Sequence, residues 1–302
     1  MTLTAEQLDT RQNGIGGTDS SVIAGCNPYK TVRELYHEKR GEIVQEDISD
    51  VDAVYWGNVL EDTVAVEYAR RTGFKVHRVN RTLMHPEHRF ILGHIDRNVS
   101  KTDRALECKT AGAFVKRDEW GPDGTDQVPE HYLLQCQHYM GLLPKVRVFD
   151  LAVLIGGRDF RIYEIPRDDG LISNLIDLEI DFWKQVEAAN APDFDYGHGS
   201  TSGLMEKLYP GTDGQVIELP SDALFWHKVL EDSKAEAKRY QGVIDGAKAH
   251  IQALCGSAAV SLIPGTNGGG YARKQIKKKP YTVEPKPYID MRFSKSPKGA
   301  KK

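Results

Sequence analysis

The chain has 302 residues, 40% hydrophobic and 27% charged, with a mean hydropathy of −0.48. That composition suits a globular protein with a substantial apolar core, as one large domain or two at about 150 residues each. No apolar run approaches the roughly 18 residues of a membrane span, and the polar residues 1–13 lack the apolar stretch of a secretory signal, so neither membrane insertion nor export is expected. The net charge of −3 conceals an asymmetry: residues 271–302 hold eleven Lys/Arg against two Asp/Glu, +9, and the 270 residues before them hold 29 against 41, −12. A basic tail on an acidic body points to a polyanionic partner, or serves only to keep the chain soluble. Cys26, Cys108, Cys136 and Cys255 are scattered, with no Cys-x-x-Cys pair. That argues against a cysteine-built zinc site, an iron–sulfur cluster or a disulfide scaffold, and fits a reducing cytoplasm.

No internal repeat is visible. Residues 14–21, Gly-Ile-Gly-Gly-Thr-Asp-Ser-Ser, form a small-residue turn before an apolar Val22-Ile23-Ala24. Residues 31–40 and 52–72 have helical spacing, the second through Val54, Val59, Val64, Ala65 and Tyr68, with Gly73 as its stop. Strands are predicted at 74–79, 89–99 and 104–110, the last two joined by the polar turn 100–103. Pro129 opens a helix through Met140. Residues 146–155 and 160–165 read as a hairpin across Gly156-Gly157-Arg158-Asp159, and 171–189 as a strongly amphipathic helix. Residues 190–215 are rich in Gly, Pro, Asp and Ser, the composition of a boundary. Beyond it Ser221 is a good N-cap for a long charged helix reaching Cys255, which Gly242 and Gly246 divide or leave whole and Gly256 ends. Strand-like residues follow around 265–270, and the last ten residues have the composition of disorder.

The most informative stretch is Gly93-His94-Ile95-Asp96, then, ten residues on, Glu107-Cys108-Lys109. Side chains alternate along a strand, so Glu107 and Lys109 share one face while Leu106 and Cys108 point into the core. Asp96, on the partner strand of a short hairpin, reaches the same face as Glu107. Two carboxylates and a lysine then converge, a set suited to Mg²⁺, which takes one or two carboxylates with water and substrate phosphate. The backbone carbonyl of Cys108 offers a further ligand. Such a metal polarises a phosphoryl oxygen and makes hydroxide from water, while Lys109 orients or deprotonates that water and stabilises the charge of the transition state. Read alone, the triple also fits a salt bridge across a hairpin. Upstream, Gly57 and Glu61 are four apart and stack on one helix face; by itself Glu61 reads as a solvated helix residue. Gln135 and Gln137 diverge by about 200° around their helix; Gln135, which pairs with Tyr139, is the expected site residue, and Gln137 the structural one.

Other chemistries fit less well. Gly14-Ile15-Gly16-Gly17 lacks the Lys-Ser/Thr of a P-loop and the spacing of a dinucleotide fingerprint. His85, His88 and His94 match no zinc spacing. His131 and His138 read as partly exposed on the glutamine helix, and Phe182-Trp183 as core. No Ser-His-Asp signature is present.

Several of these motifs occur in an order that resembles the YqaJ-type viral recombinase family, relatives of the phage lambda exonuclease within the PD-(D/E)xK nuclease superfamily. Residues Arg11-Gln12-Asn13-Gly14-Ile15-Gly16-Gly17-Thr18-Asp19 resemble the family's opening R-x-x-x-I-G-G-S-D, with Thr18 where serine is usual. Gly57-Asn58-Val59-Leu60-Glu61 resembles G-x-x-x-E, Gly93-His94-Ile95-Asp96 with Glu107-Cys108-Lys109 the catalytic core, and Pro129 through Gln137 the P-x-x-Y-x-x-Q-x-Q helix. The resemblance covers about residues 11–185. It implies that Asp96 and Glu107 hold Mg²⁺ or Mn²⁺ and that Lys109 acts on the nucleophilic water. It also implies that Glu61 assists the metal through water, and that Arg11 and Thr18, with Asp19 or Ser20 sharing the task, bind DNA phosphate. The absence of a four-cysteine set argues against the cluster-bearing Cas4-like branch.

The expected fold is α/β (α+β), a restriction-endonuclease-like mixed sheet flanked by helices with the catalytic hairpin at its centre. The expected domains are a nuclease over 1–195, a linker over 196–220, a helical arm with a β-hairpin-like extension over 221–293, and a basic tail over 294–302. The resemblance implies a Mg²⁺-dependent 5′-to-3′ exonuclease on double-stranded DNA ends in the cytoplasm. It would leave 3′ single strands for an annealing protein, and relatives form trimeric rings. The basic run Arg273-Lys274 to Lys277-Lys278-Lys279, with Tyr271 and Tyr281, tracks a DNA backbone or docks the annealing partner. A non-catalytic DNA-binding protein on the same fold and a restriction-like endonuclease are the alternatives.

Overall fold

The structure is a computed structural model that describes residues 11–44, 48, 51–113, 119–276 and 293. The chain forms two units, Met1–Pro210 and Gly211–Lys302.

The first unit is built on a five-stranded sheet in the order β1-β4-β5-β6-β7, with β1 Val76–Arg78, β4 Arg97–Val99, β5 Arg104–Ala111, β6 Val148–Ile155 and β7 Asp159–Pro166. All neighbours are antiparallel except β5 and β6, which run parallel over eight residues, Arg104 opposite Val148 to Ala111 opposite Ile155. The sheet is therefore mixed, and β5 is its middle strand. A separate two-stranded ribbon pairs β2 (Leu83–Met84) with β3 (Leu92–Gly93).

Helices cover both faces of the sheet. On one side α3, Asp52–Thr72, buries Val64, Ala65 and Tyr68 against Val99, Leu106, Ala152 and Phe160. Gly73 ends it at φ 75°, a left-handed residue that the missing Cβ permits. On the other side α4, Glu130–Leu142, packs with α5, Asp169–Glu187, over Ala105, Phe149, Leu151, Val153, Tyr163 and Ile165. The alternation of β5 is thus resolved: Ala105 and Glu107 turn to α4, while Leu106 and Cys108 turn to α3. Two short helices, α1 (Gly17–Ile23) and α2 (Val32–Lys39), pack with α5 through Ile15, Val22, Leu35, Tyr36, Phe182 and Val186. Phe182 is core as expected, and Trp183 beside it stacks on Phe90 with ring centroids 5.2 Å apart.

Several expectations need correction. The strand predicted over 89–99 is broken: β3 joins the small ribbon and β4 the main sheet, and Asp96 lies in the bend between them. The linker expected over 196–220 starts later. Residues 201–208 form α6, Thr201–Leu208, with Thr201 and Leu204 buried, His198 Nε2 3.0 Å from the Asn27 carbonyl, and Lys207 3.0 Å from Glu34.

In the second unit α7, Ala223–Cys255, runs unbroken through Gly242 and Gly246, with Asp222 rather than Ser221 at its N-cap. None of its residues is buried. Residues 265–270 are mainly turn, because Gly265 and Gly268 take φ of 84° and 91°. The strands flank them as β8, Val260–Leu262, and β9, Gly270–Ala272. Lys277, Lys278, Lys279, Tyr281 and the tail 294–302 lie outside the described residues. No helix among the described residues is long and apolar enough to cross a membrane.

Candidate active site

The site forms where β5 continues past the end of β4. The β4–β5 ladder covers Arg97 opposite Leu106 and Asn98 opposite Ala105, and then stops. The Cys108 N–H, which a further strand residue would otherwise engage, donates instead to Asp96 Oδ2 at 2.8 Å. In a strand the N–H and C=O of one residue face the same edge. The Cys108 carbonyl therefore faces the Asp96 side, as a metal ligand there would have to.

Glu107 is 3% exposed and accepts two hydrogen bonds at one oxygen, from Lys109 Nζ at 2.7 Å and from Gln135 Nε2 at 2.9 Å. Its other oxygen, Oε2, is buried with no hydrogen-bond partner. The Gln135 amide also donates to the Tyr139 hydroxyl at 3.0 Å. Lys109 lies over the Tyr132 ring, Nζ 5.0 Å from the centroid. Burial alone would lower its pKa, but the Glu107 and Asp96 charges reverse that and hold it well above the usual lysine range. As described, Lys109 is an ammonium donor. Burial, then the negative charge of Glu107, push Asp96 up to about 8, against the pull of Lys109 and the Cys108 N–H.

These features test the fit to a divalent cation. Two carboxylates converge, one of them repelled toward protonation, and an orphaned anionic oxygen sits beside a free strand edge. Hard oxygen donors short of positive charge suit Mg²⁺ or Mn²⁺. Among the described residues no three His, Cys, Asp or Glu side chains cluster as a metal site; the candidate donors are the two carboxylates Asp96 and Glu107 with the Cys108 carbonyl.

Glu61 is placed differently from a free metal ligand. It projects from α3 and accepts from Arg97 Nη1 at 2.6 Å, and its charge still reaches Asp96. Arg97, 4% exposed, is the residue that sequence reasoning missed: it binds Glu61, Asp62 and the Asp96 carbonyl together. An arginine directly after the candidate aspartate on a short strand was the available signal.

The candidate phosphate residues divide. Arg11 and Thr18 are exposed, and the Arg11 charge reaches His94. Ser20 is fully buried and its hydroxyl donates to the Gly17 carbonyl at 2.8 Å, so it presents nothing to a ligand. Asp19 caps the Gly16 N–H and pairs with Lys39 at 2.7 Å. Gln137 is structural, donating to the Pro166 carbonyl and accepting from Asp168 N–H. His131 is half-buried as expected; His138 is not, being 4% exposed.

A family model described as a YqaJ-like viral recombinase domain matches residues 6–142. The chain is similar to the uncharacterized protein YqaJ of Bacillus subtilis (strain 168), 41% identical over 217 residues, 71% of this chain and 66% of that one. It thus spans just under two thirds of that relative. Among solved structures it is similar to an alkaline exonuclease from Laribacter hongkongensis (TM-score 0.49, 17% identity, 67% of this chain and 100% of that one). It is also similar to a phage related exonuclease from Haemophilus somnus 129PT (TM-score 0.41, 14% identity, 58% of this chain and 96% of that one).

Proposed function

Since the chain belongs to the YqaJ-like viral recombinase family, we propose that it is a metal-dependent deoxyribonuclease, a 5′-to-3′ exonuclease that resects linear double-stranded DNA ends. The observation that carries this reading is the convergence of Asp96, Glu107, Lys109 and Gln135 at the edge of β5, with one Glu107 oxygen left without a partner. Asp96, Glu107 and the Cys108 carbonyl would hold Mg²⁺, or Mn²⁺ in its place, with Glu61, engaged by Arg97, reaching the ion only through water; the cation would supply Lewis acidity at the scissile phosphate and activate the attacking water.

The chain's own residues do the rest. Lys109 brings a fixed positive charge to the phosphoryl oxygens, where charge builds in the transition state. Gln135 keeps Glu107 in one orientation, and the Tyr132 ring confines Lys109. Arg11 and Thr18 bind the phosphate at the DNA end. The product is a 3′ single strand, the substrate of an annealing protein in the cytoplasm; a homo-oligomeric, trimeric ring is the assembly the family resemblance supports.

The test uses linear duplex DNA, end-labelled on one 5′-phosphorylated strand, beside closed circular DNA, with Mg²⁺ or Mn²⁺ and Lys109→Ala as control. Loss of linear DNA alone, abolished by the substitution, supports the reading. Cutting of the circle reassigns the protein as an endonuclease. DNA binding without cleavage makes it a non-catalytic DNA-binding protein.

A further inference from the structure

His138 lies one turn beyond Gln135 on α4. Its Nδ1 is 2.7 Å from Glu179 Oε1 on α5, and its Nε2 is 2.7 Å from the backbone carbonyl of Leu92, the first residue of β3. The Leu92 carbonyl can only accept, and Glu179 accepts as a carboxylate. A neutral imidazole donates from one nitrogen, so with Glu179 ionised the two contacts together take the doubly protonated ring. Glu179, 1% exposed, supplies the counter-charge, and its other oxygen is buried without a hydrogen-bond partner.

The charged and titratable groups facing His138 are Glu179 from α5, Asp19 from α1, and His85 from the segment between β2 and β3, with His88 stacked on His85. Burial pulls the His138 pKa down, but Glu179 and then the Leu92 carbonyl more than reverse it.

Leu92 begins the run that ends at Asp96. The next residue, Gly93, presses on the same helix: a Cβ there would lie 2.5 Å from Leu142 Cδ1 and 3.0 Å from Tyr139 Cδ1. One helix therefore indexes both carboxylates, Glu107 through Gln135 and Asp96 through the Leu92–Gly93 backbone. We propose that His138, held as an imidazolium by Glu179, is a positioning residue that clamps the Leu92 carbonyl to α4 and so sets where Asp96 stands relative to Glu107. This rests on the reading of that pair as the metal-holding carboxylates.

The test uses the full chain. His138→Leu with Glu179→Leu removes both charges and the clamp; apolar replacement of a buried ion pair is commonly neutral or stabilising, which offsets the Leu92 carbonyl left without its His138 donor. His138→Gln with Glu179→Gln keeps an amide donor for Leu92. Melting temperature, Mn²⁺ affinity by calorimetry, kcat and KM on DNA ends, and the ¹⁵N shifts of His138 are read for each. The Leu pair melts near wild type, yet binds Mn²⁺ about tenfold more weakly and loses about 10- to 100-fold in kcat, with KM for DNA changed less than about threefold. The Gln pair recovers most of the Mn²⁺ affinity. Wild-type His138 shows both nitrogens protonated at pH 7.5, and Glu179→Gln alone moves the alkaline loss of activity to lower pH. A Leu pair that folds, binds Mn²⁺ and cleaves like wild type overturns the inference alone, as does a neutral His138 at pH 7.5. A wild-type protein that binds no Mn²⁺ overturns the metal-site reading and this inference with it.

Discussion

Asp96→Asn should make the metal-free protein more stable while destroying the function proposed for it. Burial and the Glu107 charge push Asp96 from 3.8 up to about 8 in the folded state. At about 1.36 kcal/mol per pKa unit, ionising it in the fold costs at most about 5–6 kcal/mol. Water entry and side-chain relaxation recover part of that, leaving about 2–4 kcal/mol. Asparagine removes the charge and keeps an oxygen for the Cys108 N–H, which donates to Asp96 at 2.8 Å. The sign follows from the raised folded pKa: below pH 4 Asp96 is protonated folded or unfolded, and the variant gains nothing. As pH rises, the unfolded chain ionises freely and the folded one does not, so the gain grows until about pH 8 and then levels. For a unit of this size about 1 kcal/mol moves Tm by 2–4 °C, so about 5–15 °C is expected at pH 8.5 and almost none at pH 4. The assay is thermal unfolding with EDTA at pH 4, 6 and 8.5. Mg²⁺ should then raise the Tm of wild type and not of the variant, since only a bound ligand stabilises by mass action. An Asn variant that melts at or below wild type at pH 8.5, or whose gain is independent of pH, would refute the claim that the two carboxylates repel.

Gln135→Leu removes the donor shared by Glu107 and Tyr139. It should lower kcat by about 10- to 100-fold and cost about 1–3 kcal/mol in a denaturant melt; unchanged kcat would sink the orienting role. Gly93→Ala should cost about 1–3 kcal/mol by overpacking against Leu142 and Tyr139, read as a lower urea midpoint at unchanged slope. Tyr68→Phe removes the hydroxyl that donates to buried Asp150 at 2.5 Å. Burial raises Asp150 to about 6, against the pull of Tyr68 and Arg104. The loss should therefore be about 1.5–3 kcal/mol at pH 8 and shrink as pH falls below about 6, where the folded carboxyl is protonated in wild type and variant alike. Cleavage should be unaffected, because Asp150 stands opposite Leu106 and meets Tyr68 on the α3 face of the sheet, the face opposite Glu107.

How much of this was legible in the chain follows from the range of the interactions involved. Glu107 and Lys109 share a face because of strand alternation, a two-residue rule, and β5 obeys it. Helix α3 and its stop at Gly73 were equally local. The strand over 89–99 failed for a long-range reason: Gly93 is needed flat against Tyr139 and Leu142, residues some fifty positions later. Ser20 looked like a hydroxyl for phosphate because it follows Thr18. Yet Gly17, Ser20 and Ser21 line one side of α1, and small residues at that spacing mark close packing. His138 looked exposed because histidine usually is. The contrary signal was its company: Leu134, Cys136, Tyr139, Met140 and Leu142 spread around most of the helix circumference beyond its first turn, so the residues among them are enclosed on nearly every side.

Arg97 explains why Glu61 is found near the carboxylates without joining them. Its guanidinium binds Glu61 and Asp62 on α3 and, on the other side, the carbonyl of Asp96. A buried guanidinium needs such partners, and the two acidic residues on α3 supply them. The negative charge of Glu61 is thus largely compensated at the helix, whereas among the described residues Lys109 is the cation that Asp96 and Glu107 share. The unbalanced charge falls on the strand pair and not on the helix. The strand pair is also anchored twice to α4, by Gln135 at Glu107 and by His138 at Leu92. Repulsion between two carboxylates would push the Asp96 bend outward if it were free. It is retained because helices on both faces of the sheet hold its backbone, Arg97 at residue 96 and His138 at residue 92. A protein stores such a cost where function requires it, and here the cost is concentrated where a divalent cation would relieve it.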